Sequence, residues 1–303
     1  MMDLILTALE LGLMSSLTVL ALFLSYSMLG VCDLSTDGCF TFGAAVGAVV
    51  ALSGHPFLAL LAAMGAGALS GFVTAFLQTK MGVDSLLSGI VVNTGLYSIN
   101  IAVMGNSSLL NMNKTETIFT KAKALLGASF LGPQYKLIVI VLFTALVVVF
   151  LAFFLKTRIG LAIRATGDNP DMVRSSSINP VKTTIIGLCI SNSFTALSGC
   201  LLAQYQKSVN VNIGSGMLTI ALASLLIGNT FIGKRRPITF RLVGAVLGAF
   251  IFRLVYTVAL RLNMPAFMLK LVSSVIVVIA ISGPYLQQRF PLFMRKLKKR
   301  GRA

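Results

Sequence analysis

The sequence predicts an all-α fold: a polytopic bundle of transmembrane helices. Three observations predict it. Of 303 residues, 56% are hydrophobic and only 11% are charged, with a mean hydropathy of +0.92. A soluble domain of this length needs far more polar surface. Apolar stretches recur from end to end, most of them long enough to cross a hydrocarbon core roughly 30 Å thick. The basic residues gather in the connections between those stretches and at the carboxyl terminus, the pattern that holds positive loops on the cytoplasmic side.

In chain order the apolar segments fall near 5–29, 38–53, 57–79, 85–105, 135–155, 183–205, 217–232, 241–261 and 265–283. The first begins without a basic stretch and has no small-residue cleavage pattern, so it reads as a span and not as a cleavable signal. Between the first two lies CDLSTDG (32–38), which sets Asp33, Ser35, Thr36 and Asp37 between apolar runs. Lipid cannot satisfy the backbone of such a break, so it must face protein or a wet cavity. The stretch therefore predicts an interrupted helix. Its carboxylates have three available roles. Asp37 can cap the span that follows, Asp33 can pair with Arg253 in the segment at 241–261, or both can line a solute path.

Three glycine pairs at small-xxx-small spacing, Gly43/Gly47, Gly67/Gly71 and Gly244/Gly248, predict close helix–helix contacts. The segment at 85–105 carries Ser88, Asn93, Tyr97 and Asn100; the last three, spaced by four and three residues, share one helix face. Asn192, Ser193 and Gln204 add polar groups to the segment at 183–205. Solute contact and hydrogen bonding between helices are open to all of them. GCFTFGAA (38–45) and GMLTIALA (216–223) are weakly alike, each after a short polar stretch. Chance and a repeated structural unit both account for that likeness.

The connection KTRIGLAIRATGDNPDMVRSSSINPVK (156–182) is amphipathic and too short to be a domain. LAIRATGDNP predicts a helix ending at a turn, because the residue before Pro170 is pushed out of helical conformation. Asp171 then opens a second short helix. Two short helices joined by Gly-Asp-Asn-Pro make a handle that another protein can push; an inert connection is the alternative. Basic residues cluster here, at 233–241 (Lys234, Arg235, Arg236, Arg241) and in the tail RKLKKRGRA. Counting crossings puts all three clusters inside and the amino terminus outside. The longer connection at 106–134, with Lys114, Lys121 and Lys123, then faces outward. Residues 1–288 form the membrane domain and 289–303 a basic cytoplasmic tail.

Several function classes are excluded. The net charge of +17 follows from cytoplasmic loops and anionic lipid, so no nucleic acid is implied. Cys32, Cys39, Cys189 and Cys200 lack ligand partners at metal-site spacing, and His55 is the single histidine, so neither a metal site nor a catalytic constellation is expected. GNTFIGK (228–234) has phosphate-loop spacing, but Arg235 stands where Ser or Thr is needed. This chain is not expected to hydrolyse ATP.

Arg164, Ala165, Gly167, Asn169 and Pro170, followed by Arg174, Ile178 and Asn179, carry a recognisable pattern. It resembles the cytoplasmic coupling loop of ABC importer permeases of the branched-chain amino acid and monosaccharide family. Ser177 stands where that family usually has glycine. GVCDLSTDGCFTFGA resembles the family's first-half signature, and LLSGIVVNTGLYSINIAVMG (86–105) is similar to the subgroup associated with aromatic amino acid uptake. The resemblance covers nearly the whole chain.

It implies a permease subunit in a bacterial plasma membrane, not an enzyme. Arg164, Ala165, Gly167, Asp168, Asn169, Pro170 and Arg174 would dock on a separate cytoplasmic ABC ATPase. That partner holds ATP and Mg, and this chain binds no cofactor. An extracytoplasmic solute-binding protein would deliver the cargo. A second permease copy, as a homodimer or a pseudo-symmetric heterodimer, would complete the pathway. Asp33, Ser35, Thr36, Asp37, Asn93, Tyr97, Asn100 and Asn192 are the candidate path residues. The solute would be small: an amino acid, aromatic in the subgroup resembled, with a sugar or nucleoside as alternative. An ion-coupled secondary transporter is the competing reading, with Asp33, Asp37 and Arg253 as a relay, but such a carrier has no use for the coupling loop.

Overall fold

The computed structural model describes residues 2–126, 134–233, 236–261, 268, 271–278 and 282. Lys234, Arg235, the tail at 289–303 and part of the apolar segment at 265–283 lie outside the described residues.

Helix α1 (Met2–Leu22) widens into a π turn (Phe23–Met28), after which the chain is non-helical until α2 (Thr36–Leu52). There follow α3 (Pro56–Thr79), α4 (Ser85–Val103), strand β1 (Leu109–Asn111), α5 (Ile118–Leu126) and α6 (Tyr135–Phe154). The connection at 156–182 folds as α7 (Arg158–Asp168) and α8 (Pro170–Ser175), and leads into α9 (Pro180–Gln206). Strand β2 (Ser208–Asn210), α10 (Met217–Ile232) and α11 (Ile238–Arg261) complete the order. Among the described residues six helices are long and apolar enough to cross a membrane: α1 with its π turn, α3, α4, α6, α9 and α11. α2 and α10 are apolar but shorter.

α9 is the axis of the bundle. Its most apolar stretch is 78% buried, against 22% for that of α6, which keeps most of its surface outside the chain's own core. The glycine pairs explain how neighbours reach α9 so closely. Gly43 and Gly47 of α2 abut Ala196 and Cys200 of α9, and Gly67 and Gly71 of α3 abut Asn192 and Leu188. Gly248 of α11 lies against Ser224 of α10, and Gly244 receives Gly228. In lipid, where expelling water from between helices offers no gain, such packing and side-chain hydrogen bonds hold helices together. Ser191 and Ser198 of α9 donate to the carbonyls of Ala21 and Met14 of α1 at 2.7 and 2.8 Å.

The described part of the connection at 106–134, residues 106–126 and 134, is more structured than its sequence indicates. β1 pairs antiparallel with β2, Leu110 opposite Val209, and α5 is pinned where Gln204 Oε1 accepts from the Ile118 N–H at 3.0 Å. Gln204 also donates to the Pro56 carbonyl at 3.2 Å. That residue, a candidate for a solute path by sequence, fastens three elements together instead.

Candidate functional site

The polar segment after the π turn holds two carboxylates that face different ways. Asp33 is buried. Its Oδ1 accepts from the Ser35 N–H at 2.8 Å and its Oδ2 from the Asn192 amide at 2.7 Å. Thr36 donates to the Asp33 carbonyl at 2.8 Å, and Thr74 of α3 donates to Ser35 Oγ at 3.4 Å. A buried acid needs hydrogen-bond donors; Ser35 and Asn192 give each Asp33 oxygen one, and the Asn192 bond ties the non-helical segment to α9. The expected pairing of Asp33 with Arg253 is not formed. Arg253 lies on the face of α11 turned to α1, where its Nε donates to Ser15 Oγ at 3.0 Å and its guanidinium stands 5.6 Å from the Tyr256 ring centroid. Asp33 faces α9.

Asp37 caps a helix, but not its own. Its Oδ2 accepts from the Gly216 N–H at 2.9 Å and its Oδ1 from the Leu218 N–H at 2.7 Å. Those groups open α10, so the amino ends of α2 and α10 meet at one carboxylate. Each end carries partial positive charge from unsatisfied N–H groups, which an acid offsets. The two weakly alike stretches, GCFTFGAA and GMLTIALA, are the parts of the chain that meet here. Asn93 and Asn100 of α4 serve the start of α2: Gly38 N–H donates to Asn93 Oδ1 at 2.7 Å, and Asn100 Nδ2 donates to the Gly38 carbonyl at 3.3 Å.

Beside this junction is an open cavity of about 420 Å³, lined by Asp37, Gly38 and Thr41 of α2, by Asn93, Thr94, Tyr97, Ser98 and Asn100 of α4, and by Val211, Asn212 and Ser215 ahead of α10. The helical spacing of Asn93, Tyr97 and Asn100 does put them on one wall, together with Asp37. Asp33, Ser35, Thr36 and Asn192 are not part of the lining. Sequence reasoning missed Thr41, Thr94, Ser98, Asn212 and Ser215. The polar run VNVNIGS (209–215) is a visible signal for Asn212 and Ser215, since it precedes α10 as LSTD precedes Gly38. Asn100 Oδ1 is buried and has no hydrogen-bond partner, Tyr97 is 50% exposed, and neither Lys nor Arg lines the cavity.

At the other end of the polar segment lies the α7–α8 elbow. Thr157 caps α7 by accepting from the Gly160 N–H at 3.2 Å, and Asn169 caps α8 by accepting from the Asp171 and Met172 N–H groups at 3.0 and 3.1 Å. Asn179 does the same for α9 at the Val181 N–H, 3.0 Å away. Ser177 adopts φ 62°, the left-handed conformation glycine takes freely, so the turn keeps a glycine-like backbone at a cost of roughly 1–2 kcal/mol. Gly167 lies directly on Met28 and Leu29, where the π turn gives way to the polar segment. The Thr166 and Thr183 hydroxyls, 2.8 Å apart, join α7 to α9. Arg164, Ala165 and Gly167 are thus turned partly inward, while Asp168, Asn169 and Pro170 are exposed. Arg174 is exposed and 3.6 Å from Asp171. Met172, at 67% exposure, is an apolar knob on the tip that sequence reasoning did not single out.

Residues 4–281 match the family described as branched-chain amino acid transport system / permease component. The chain belongs to that family. It is similar to the tyrosine transport system permease protein of Clostridioides difficile (strain R20291), 34% identical over 88% of this chain and 86% of that protein. Similarity extends to the guanosine ABC transporter permease protein NupQ of Bacillus subtilis (strain 168), 28% identical over 66% of this chain and 67% of that protein. It reaches the ribose import permease protein RbsC of Escherichia coli (strain K12), 25% identical over 79% of this chain and 72% of that protein. No solved structure matches. The chain is therefore a multi-pass, ABC-type membrane permease. In this permease the apolar spans, the polar segment and the elbow are one connected structure: elbow on Gly167, segment from Leu29 to Ser35, cavity at Asp37.

Proposed function

We propose that this permease admits a small solute to a bacterial cell as the membrane subunit of an ATP-driven importer. Its amino terminus is outside and its carboxyl terminus cytoplasmic. A separate ABC ATPase, holding ATP and Mg, grips the exposed tip of the elbow from Asp168 to Met172. An extracytoplasmic solute-binding protein delivers the cargo, and a second permease copy supplies the other half of the pathway. The observation that carries this reading is the seat of Gly167 on Met28 and Leu29. A push on the elbow reaches those residues without slack. The seven residues from Leu29 to Ser35 that follow lack regular helix, so they yield more readily than a helix held by its own ladder of hydrogen bonds. Their far end carries Asp37 and the cavity wall.

A pull-down from native membranes tests it. An ATPase should co-purify with the wild-type chain and be lost from Met172→Asp, whose change lies on the surface. Absence of any ATPase from the wild-type sample contradicts the reading.

The proposed solute is an amino acid, by similarity to the tyrosine transport permease. A second reading, a sugar or nucleoside, has one observation in its favour. The cavity presents hydroxyl and amide groups with no fixed cation, and the N–H groups opening α10 are already taken by Asp37. A solute carboxylate would find no strong partner there. Competition of unlabelled tyrosine, ribose and guanosine against one another in uptake by cells expressing the importer separates the two.

A further inference from the structure

We infer that the cavity beside the α2–α10 junction holds an ammonium group of the solute, with Asp37 and Asn100 as its acceptors and the Tyr97 ring on the same wall. The inference rests on the reading of that cavity as part of the solute path. It names the end of the solute that is gripped: a primary amine, not a carboxylate and not a sugar hydroxyl.

The charge on the wall has one sign. Among the described residues that line the cavity, Asp37 is the one that carries a charge. Among the described residues the ion pairs are Lys121–Glu116 and Arg174–Asp171, so Asp37 has no basic partner. Gly216 and Leu218 give its two oxygens one N–H each, and a carboxylate has room for about four such bonds. Asp37 is only part-buried, so lone pairs remain for a donor that enters the cavity.

Asn100 supplies a second acceptor. Its Nδ2 donates to the Gly38 carbonyl at 3.3 Å, which sets the amide beside the residue that follows Asp37. Its Oδ1 is left buried without a partner. A buried acceptor with no donor is costly, so a group with an N–H to give is favoured there. Tyr97, three residues before Asn100 and so on the same helix face, adds an aromatic ring half exposed on that wall. Such rings attract ammonium groups. An ammonium brings three donors and a positive charge. A hydroxyl brings one donor and no charge, and charge-assisted hydrogen bonds are roughly twice as strong as neutral ones. A carboxylate would meet Asp37 as a like charge.

Saturation-transfer NMR of the purified full-length chain tests this with tyramine, 4-ethylphenol, 3-(4-hydroxyphenyl)propionate and ribose as probes, each read against empty micelles. The first three share a phenol ring and differ in charge. Tyramine should bind about tenfold more tightly than 4-ethylphenol or the propionate, and ribose should bind least. Asp37→Asn should erase that preference. Ser215→Lys should erase it too, because it sets a cation beside the carboxylate from an exposed position on the same wall, where the change should not disturb folding. Asn100→Ala should lower the preference severalfold and Asn100→Asp, which keeps an acceptor, should restore it. Equal binding of the three phenols overturns the inference, as does tighter binding of ribose, which a hydroxyl site predicts. A tyramine preference that survives both Asp37→Asn and Ser215→Lys places the amine elsewhere and overturns it too. No partner subunit is needed. Tyramine preference in a chain that draws down no ATPase upholds this site while the importer reading fails, and its absence from a chain that does draw one down overturns this site alone.

Discussion

Gly167 meets the carbonyl of Met28 with no space for a side chain between them. The end of the elbow and the start of the polar segment are therefore in direct backbone contact, although 139 positions separate them in the chain.

Gly167→Ala should break that contact. A methyl group would overlap backbone, which cannot rotate away as a side chain can, and overpacking of this kind costs typically about 1–3 kcal/mol. Solute uptake should fall by about tenfold or more, while the protein remains in the membrane at near-normal level. Uptake and immunoblot measurements on the same cells check this.

Asn192→Ala should act on folding and not on solute choice. It leaves Asp33 Oδ2 buried without its 2.7 Å donor, and leaving a buried polar group without its hydrogen-bond partner costs about 1–3 kcal/mol. The amount of monodisperse protein recovered in detergent should drop sharply, and Asp33→Ala should behave alike because Ser35 and Asn192 then lose their acceptor.

Asp37→Asn should lower stability by about 1–2 kcal/mol, because the acid facing two helix amino ends loses its charge and one of its two acceptor oxygens. Thermal denaturation in detergent reads the loss. Asp37→Glu, which keeps the charge but displaces it, should fall between wild type and Asn.

Tyr97→Ala is expected to show the opposite profile. The side chain is half exposed on the cavity wall, so stability should stay within about 0.5 kcal/mol of wild type while the apparent KM for uptake changes. Comparison with Asn192→Ala separates the cavity from the structural network behind it.

What the sequence made legible is what depends on near neighbours. Span positions follow from local hydropathy, the contacts of Gly43, Gly47, Gly67 and Gly71 from a spacing of four, and the elbow from Asn169 preceding Pro170. What stayed hidden depends on distant partners. Asp37 has an acid's usual position for capping its own helix, yet its donors lie 179 and 181 residues away. Arg253 was one possible partner for Asp33, and the neutral amide of Asn192, 159 residues away, took the place. β1 and β2 are three residues each, too short to leave an alternating pattern. Thr41, Thr94 and Ser98 carry no pattern of their own in the sequence; α2, α4 and the stretch before α10 bring them to one cavity.

The most direct test places a photoreactive residue at position 172 and irradiates native membranes. Mechanical coupling through the elbow predicts a covalent adduct with a cytoplasmic nucleotide-binding subunit. An adduct formed with an extracytoplasmic protein, or none at all in an actively transporting membrane, contradicts it.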